Sequence, residues 1–171
     1  MAIFVKTSEI VASARAVFEW HQTPDALRQL IPPWEPVTLE RAPASLEDGQ
    51  TAVLVMRMGP FKLRWVARHR DFIDCGDQGG EFTDEQVSGP FESWVHRHVV
   101  TANGSTRCIL EDRIVYELPL KWLGAFLGGG YVRRKLERMF AYRHEATQRA
   151  LAAGSRAVTA VGVVGVKEAS P

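Results

Sequence analysis

The stretch that most restricts the fold lies towards the end of the chain. From 123 to about 153 the sequence has one helical period. Val132, Leu136, Met139, Phe140, Arg143, Thr147 and Leu151 recur at three- and four-residue steps, and Arg134, Arg138, Glu145 and Arg149 fall on the opposite side. Such a stripe must be buried against something, and nearly everything before it reads as strand. The expected architecture is α+β: a curved antiparallel sheet of about seven strands wrapped around a long C-terminal helix, with space for a cavity between them. Gly128-Gly129-Gly130 weakens the start of that helix, so its firm part is expected from Tyr131.

Read in order, residues 3–11 are β-rich and form the first strand. Ser13 caps a short helix whose apolar side is Ala14, Val17 and Phe18. Thr23-Pro24 starts a second, with Thr as cap, and Pro32-Pro33-Trp34-Glu35-Pro36 stops it. Strands are expected over 37–41, 51–58, 62–72, 81–87, 94–101 and 106–118, separated by glycine- and proline-bearing turns. No repeat and no linker divides the chain. Residues 1–153 are expected to form one ligand-binding domain, and 154–171 a flexible C-terminal tail of small, glycine-broken apolar residues.

Composition narrows the function classes. At 171 residues, 46% hydrophobic and 24% charged, the chain has the make-up of one globular domain. A formal net charge of +1 gives no overall field, so no nucleic-acid partner is expected. The basic cluster Arg133-Arg134-Lys135-x-x-Arg138 is interrupted by Glu137 and reads as a solvated helix face. Cys75 and Cys108 show no CxxC or His/Cys ligand spacing, which argues against structural zinc or a disulfide framework and for a reducing cytoplasm. The first residues lack a signal-peptide layout, and no run of 18 apolar residues exists to form a transmembrane segment. Gly128–Gly130 do not follow a strand, so nucleotide binding is not expected. Hydride-transfer, phosphoryl-transfer and serine-hydrolase chemistry have no supporting motif.

Alternation along the strands sorts side chains onto two faces. Leu54, Met56 and Met58 share one parity, as do Leu63, Trp65, Ala67 and His69, with Arg64, Arg68 and Arg70 left in water. Phe82, Asp84 and Gln86 share a face, as do Trp94, His96, His98 and Val100. The turn after 101 then decides which side of the last strand joins them. A two-residue Asn103-Gly104 turn brings Glu111 and Arg113 to the histidine face, whereas a three-residue loop with a left-handed Gly104 brings Leu110 and Asp112. The three-residue loop is expected, because it gathers the apolar residues of both strands on one side. The concave face is then mostly aromatic and aliphatic, with Gln86, His96, His98 and Asp112 as its polar groups and His69 and Arg143 at its border.

Gly89-Pro90-Phe91, Trp94-x-His96-x-His98, Asp112-x-Ile114-x-Tyr116-x-Leu118-Pro119 and Met139-Phe140-x-Tyr142-Arg143-His144, in this element order, resemble the START/Bet v 1-like (SRPBCC) superfamily. Within it the chain looks like the bacterial polyketide cyclase/dehydrase-like proteins, over roughly residues 3–151. The resemblance implies a helix-grip fold, seven antiparallel strands around a long C-terminal helix, and a hydrophobic cavity. It brings no catalytic residue with it. Its members include lipid carriers, plant hormone receptors, coenzyme Q-binding proteins and aromatase/cyclases, so fold leaves activity open.

The first expectation is therefore a binding protein for a small hydrophobic molecule, whether lipid, isoprenoid or aromatic polyketide-like. Its ligand-binding set is Met56, Trp65, Phe82, Gln86, Trp94, His96, His98, Asp112, Tyr116, Met139, Phe140 and Arg143. The second is a polyketide cyclase/dehydratase in which His96 or His98, with Asp112, supplies the acid/base group. The third is a protein-interaction module without ligand. His96 and His98 read first as hydrogen-bonded structural residues, next as ligand-contacting or catalytic, and last as metal ligands with Asp112 or Asp84; neither metal nor cofactor is expected. Asp112 must be paired if buried, with Arg143 as its most attractive partner and Arg113 and the histidines as competitors. The chain is expected to be a monomer or homodimer.

Overall fold

The structure, a computed structural model, describes residues 1–119 and 128–161. Period-2 alternation produces long strands that bury one face. The elements are β1 (Ala2–Ile10), α1 (Ala14–His21), α2 (Ala26–Gln29), β2 (Val37–Arg41), β3 (Thr51–Met58), β4 (Phe61–Asp74), β5 (Gly79–Ser88), β6 (Ser93–Ala102), β7 (Cys108–Glu117) and α3 (Gly128–Val161). One antiparallel sheet has the order β1-β7-β6-β5-β4-β3-β2. Six consecutive strands thus form a meander, while β1 returns to pair with β7, Ala2 opposite Tyr116 and Ile10 opposite Cys108.

Local chemistry explains the boundaries. Ser13 caps α1, its Oγ accepting from the Ala16 amide at 3.3 Å. Thr23 does not cap α2: its hydroxyl donates back to the Trp20 carbonyl at 2.7 Å, and the four-residue helix begins after Asp25. The Thr23-Pro24-Asp25 stretch is a turn that finishes α1 rather than a helix start. β6 and β7 join through Gly104-Ser105-Thr106, with the Asn103 amide bonded to the Arg107 carbonyl at 2.9 Å and Gly104 at φ 85°. That three-residue loop sets His98 opposite Asp112 and His96 opposite Ile114, as expected.

The long helix begins at Gly128, three residues before the expected firm start, and continues to Val161, past the expected end near 153. The first part of the expected helix, 123–127, and the tail after 161 lie outside the described residues. Packing divides the core in two. Ile10, Ala14, Val17, Phe18, Phe82, Val100, Cys108 and Leu110 form one cluster, with Leu151 against it. Phe4, Trp94, Ile114, Tyr116, Val132, Leu136 and Phe140 form the other, flanked by Trp65, Phe91 and Met139. Between them each inner element switches to polar residues: Asp84 on β5, His96 and His98 on β6, Asp112 on β7, and His144 on α3. A polar layer therefore crosses an otherwise apolar interior.

Candidate functional site

Asp112 stands at the centre of that layer and is 4% exposed. An ionised carboxylate only accepts hydrogen bonds, so the atoms that face it must donate. His96 Nε2–H donates to Oδ1 at 2.7 Å, and His144 Nε2–H donates to Oδ2 at 2.7 Å. His98 Nδ1 lies 2.8 Å from Oδ1. The opposite nitrogen of His98 donates to Asp84 Oδ2 at 3.0 Å, so this ring bridges two carboxylates. His69 Nε2 lies 3.0 Å from Asp84 Oδ1, and its Nδ1 is 3.1 Å from the Ser45 carbonyl. All five histidines of the chain, His21 included, converge on this region.

Electrostatics follow from this geometry. Burial opposes charge on His98, yet Asp112 and then Asp84 outweigh it and push the imidazolium pKa up to about 9. Burial together with the neighbouring His98 charge lowers His96 to about 4, against the pull of Asp112. Burial opposes ionisation of Asp112, but the His98 charge and the bonds from His144, His96 and His98 hold it well below the usual carboxylate range. Asp84 is likewise held down, burial being overcome by His69 and His98. His21 is lowered to about 4, chiefly by burial, and its Nδ1 lies 2.8 Å from the Val17 carbonyl. The centre is thus a charged His98 between two carboxylates.

Arg143 does not pair with Asp112. Its Nε donates to the Leu30 carbonyl at 3.3 Å and its guanidinium lies over the Phe140 ring, where burial lowers its pKa. The helix supplies His144 instead, four residues after Phe140 and on the same stripe as Val132 and Leu136. Residues 143 and 144 border the stripe equally in sequence, so the spacing alone did not choose between them.

A cavity of about 50 Å³ opens beside the polar layer. Its apolar wall includes Leu27, Leu30, Leu46 and Phe82, and its polar side includes His21, His69, Asp84 and His98. Of the expected ligand-binding residues only Phe82 and His98 line it. Trp65, Trp94, Tyr116, Met139 and Phe140 pack with the second core cluster under α3. Met56 is half-buried on β3, opposite Leu63. The Gln86 amide is spent on the backbone of Phe91, its Nε2 donating to the carbonyl at 2.9 Å. His96 and Asp112 lie behind His98, away from the cavity wall. Sequence reasoning thus placed the cavity beneath the long helix, whereas this one lies between the α1–α2 segment and strands β4, β5 and β6. Asp84, His96 and His98 present three ligand atoms within 4.8 Å of one another, the arrangement that suits a cation.

No family model and no curated protein matches the sequence. Solved structures do match its shape. The nucleoside-diphosphate sugar epimerase from Corynebacterium glutamicum aligns with 91% of this chain at 26% identity and TM-score 0.69, and this chain spans 30% of that one. The Zhui aromatase/cyclase from Streptomyces sp. R1128 aligns with 87% of this chain and 92% of its own at 15% identity and TM-score 0.60. A START superfamily protein from Mycobacterium smegmatis aligns with 86% and 95% at 14% identity and TM-score 0.59. The fold is START/Bet v 1-like. In START-like terms, α3 is the gripped helix and the sheet is the hand around it. Among the described residues no helix is long and apolar enough to cross a membrane.

Proposed function

We propose that this START-like chain binds a small molecule with an apolar body and one polar or anionic group, seated in the cavity between the α1–α2 segment and the sheet. The observation that carries the reading is the lining: aliphatic and aromatic side chains on one side, and the His98–Asp84 pair on the other. At about 50 Å³ the cavity has room for one or two waters, so a ligand of lipid, isoprenoid or polyketide size must displace residues 23–30 as it enters. That segment is suited to move: α2 has four residues and no side-chain cap. The apolar body would replace the contacts of Leu27 and Leu30, and the polar group would meet His98.

A second reading, a cyclase/dehydratase, has one observation in its favour. A charged imidazole at a cavity wall, once its Nε2–H is released from Asp84, can donate to a carbonyl oxygen as enolate character develops. His98 rather than His96 is then the reacting group, because His98 alone of the two borders the cavity.

The test is titration of the full chain with an anilinonaphthalene probe, together with native mass spectrometry of gently purified protein. Saturable, blue-shifted emission that Leu27→Arg abolishes supports binding at this cavity. Absence of saturable probe binding, with a clean mass for the chain alone, overturns it.

A further inference from the structure

Asp84, His96 and His98 form a donor set that the hydrogen-bond network does not use up. Asp112 accepts a hydrogen bond from His96 Nε2 and faces His98 Nδ1, which orients both rings and turns His96 Nδ1 and His98 Nε2 towards Asp84. A second carboxylate holding the far nitrogens of two histidines is how metal-ligating imidazoles are oriented. His96 Nδ1 is 4.0 Å from Asp84 Oδ2, too far for a hydrogen bond, and Asp84 Oδ1 is buried without an aligned donor. The spacing fits an ion in an octahedral site between them: with metal–ligand bonds of about 2.1 Å, adjacent ligand atoms there lie about 3 Å apart and opposed ones about 4.2 Å. The observed separations from Asp84 Oδ2 are 3.0 Å to His98 Nε2 and 4.0 Å to His96 Nδ1.

We infer that Asp84, His96 and His98 bind a divalent first-row transition-metal ion, with Asp112 and His144 as positioning residues behind them. The ion replaces the hydrogen that bridges His98 and Asp84. Two imidazole nitrogens and one carboxylate oxygen are the donor types that favour such ions over calcium or magnesium. Asp84 and His98 also border the cavity, so the remaining coordination positions are open to a water or a ligand oxygen from that side. This site stands independently of the apolar ligand proposed above, since it needs only the polar layer.

The experiment is titration of the chelator-treated full chain with Co²⁺, read by visible absorption and by proton NMR. One Co²⁺ per chain is expected, with shifted exchangeable imidazole resonances from His96 and His98. His96→Ala and Asp84→Asn should abolish the visible bands, Asp112→Asn should weaken affinity by about 10–100-fold, and the exposed Cys75→Ser should change nothing. Each variant is first checked for folding by circular dichroism, and a variant that does not fold is replaced by the conservative His96→Gln or Asp84→Asn. Absence of stoichiometric Co²⁺ uptake, uptake without shifted imidazole protons, or uptake retained by a folded His96→Ala variant each overturns the inference.

Discussion

Asp112 draws in three imidazoles, and one of them, His98, reaches on to a second carboxylate. These few residues set how stability responds to pH. His98 is raised to about 9, so its contribution is complete below pH 6.5, its ordinary value, and is lost as pH rises through 9. His96 and His21 are lowered to about 4. Between pH 6.5 and 4 the unfolded chain therefore takes up protons that the folded chain refuses, and stability falls as pH falls. Chelator-treated protein should melt highest near pH 6.5 and lose a few kcal/mol by pH 9, on the scale of about 1.4 kcal/mol per pKa unit. In His98→Gln the alkaline decline should flatten while the acid decline persists. A wild-type melting temperature that stays constant from pH 6.5 to 9 contradicts this account.

At the scale of elements, glycines separate two kinds of turn. Gly79 opens β5 at φ 99°, and a Cβ there would sit 2.2 Å from the Val100 carbonyl oxygen. Gly104 has φ 85° but open space around it. Gly104→Ala should cost about 1–2 kcal/mol from backbone strain alone. Gly79→Ala adds a clash with the neighbouring strand and should cost more than about 3 kcal/mol, read by urea denaturation. Equal costs would show that the β5–β6 approach relaxes freely. Turns were also what made much of the sheet readable. The turn at Gly104 left two parities open for β7, and the gathering of apolar residues on one side decided between them, which set Asp112 beside the histidines. The helix partner was harder. Arg143 and His144 sit three and four residues after Phe140, and rotating the helix by a fraction of a turn exchanges them. Tertiary packing decides that rotation, and local sequence does not carry it. Likewise Gln86 has the right parity for the concave face, but the turn through Gly89 and Phe91 uses its amide first.

For the whole molecule, the polar layer is the seam between two hydrophobic clusters, and Asp112 ties helix to sheet across it. Asp112→Asn exchanges a charge for an amide while leaving His98 charged and buried. It should cost about 3–5 kcal/mol, the range for breaking a buried ion pair from one side. His144→Ala should lower stability without altering the alkaline pH response, because His98 keeps both of its carboxylates. These are separable by denaturant melts at pH 6.5 and pH 9. The position of this cavity was not legible in sequence for a related reason. It is bounded by His21, Leu27 and Leu30 from one end of the chain and His69, Asp84 and His98 from its middle, and no local pattern joins them.

The return of β1 to β7 pairs Ala2 with Tyr116, and just past that strand the Val11 amide donates to Gln148 Oε1 on α3, 137 positions away. The meander from β2 to β7 pairs each strand with the one just made, so it can be assembled in the order in which it leaves the ribosome. The first strand cannot join. It is synthesised first and must wait, unpaired and edge-exposed, until β7 has emerged to receive it. Birth order and assembly order are therefore reversed for β1, and both edges of that strand stay open for as long as β7 takes to emerge.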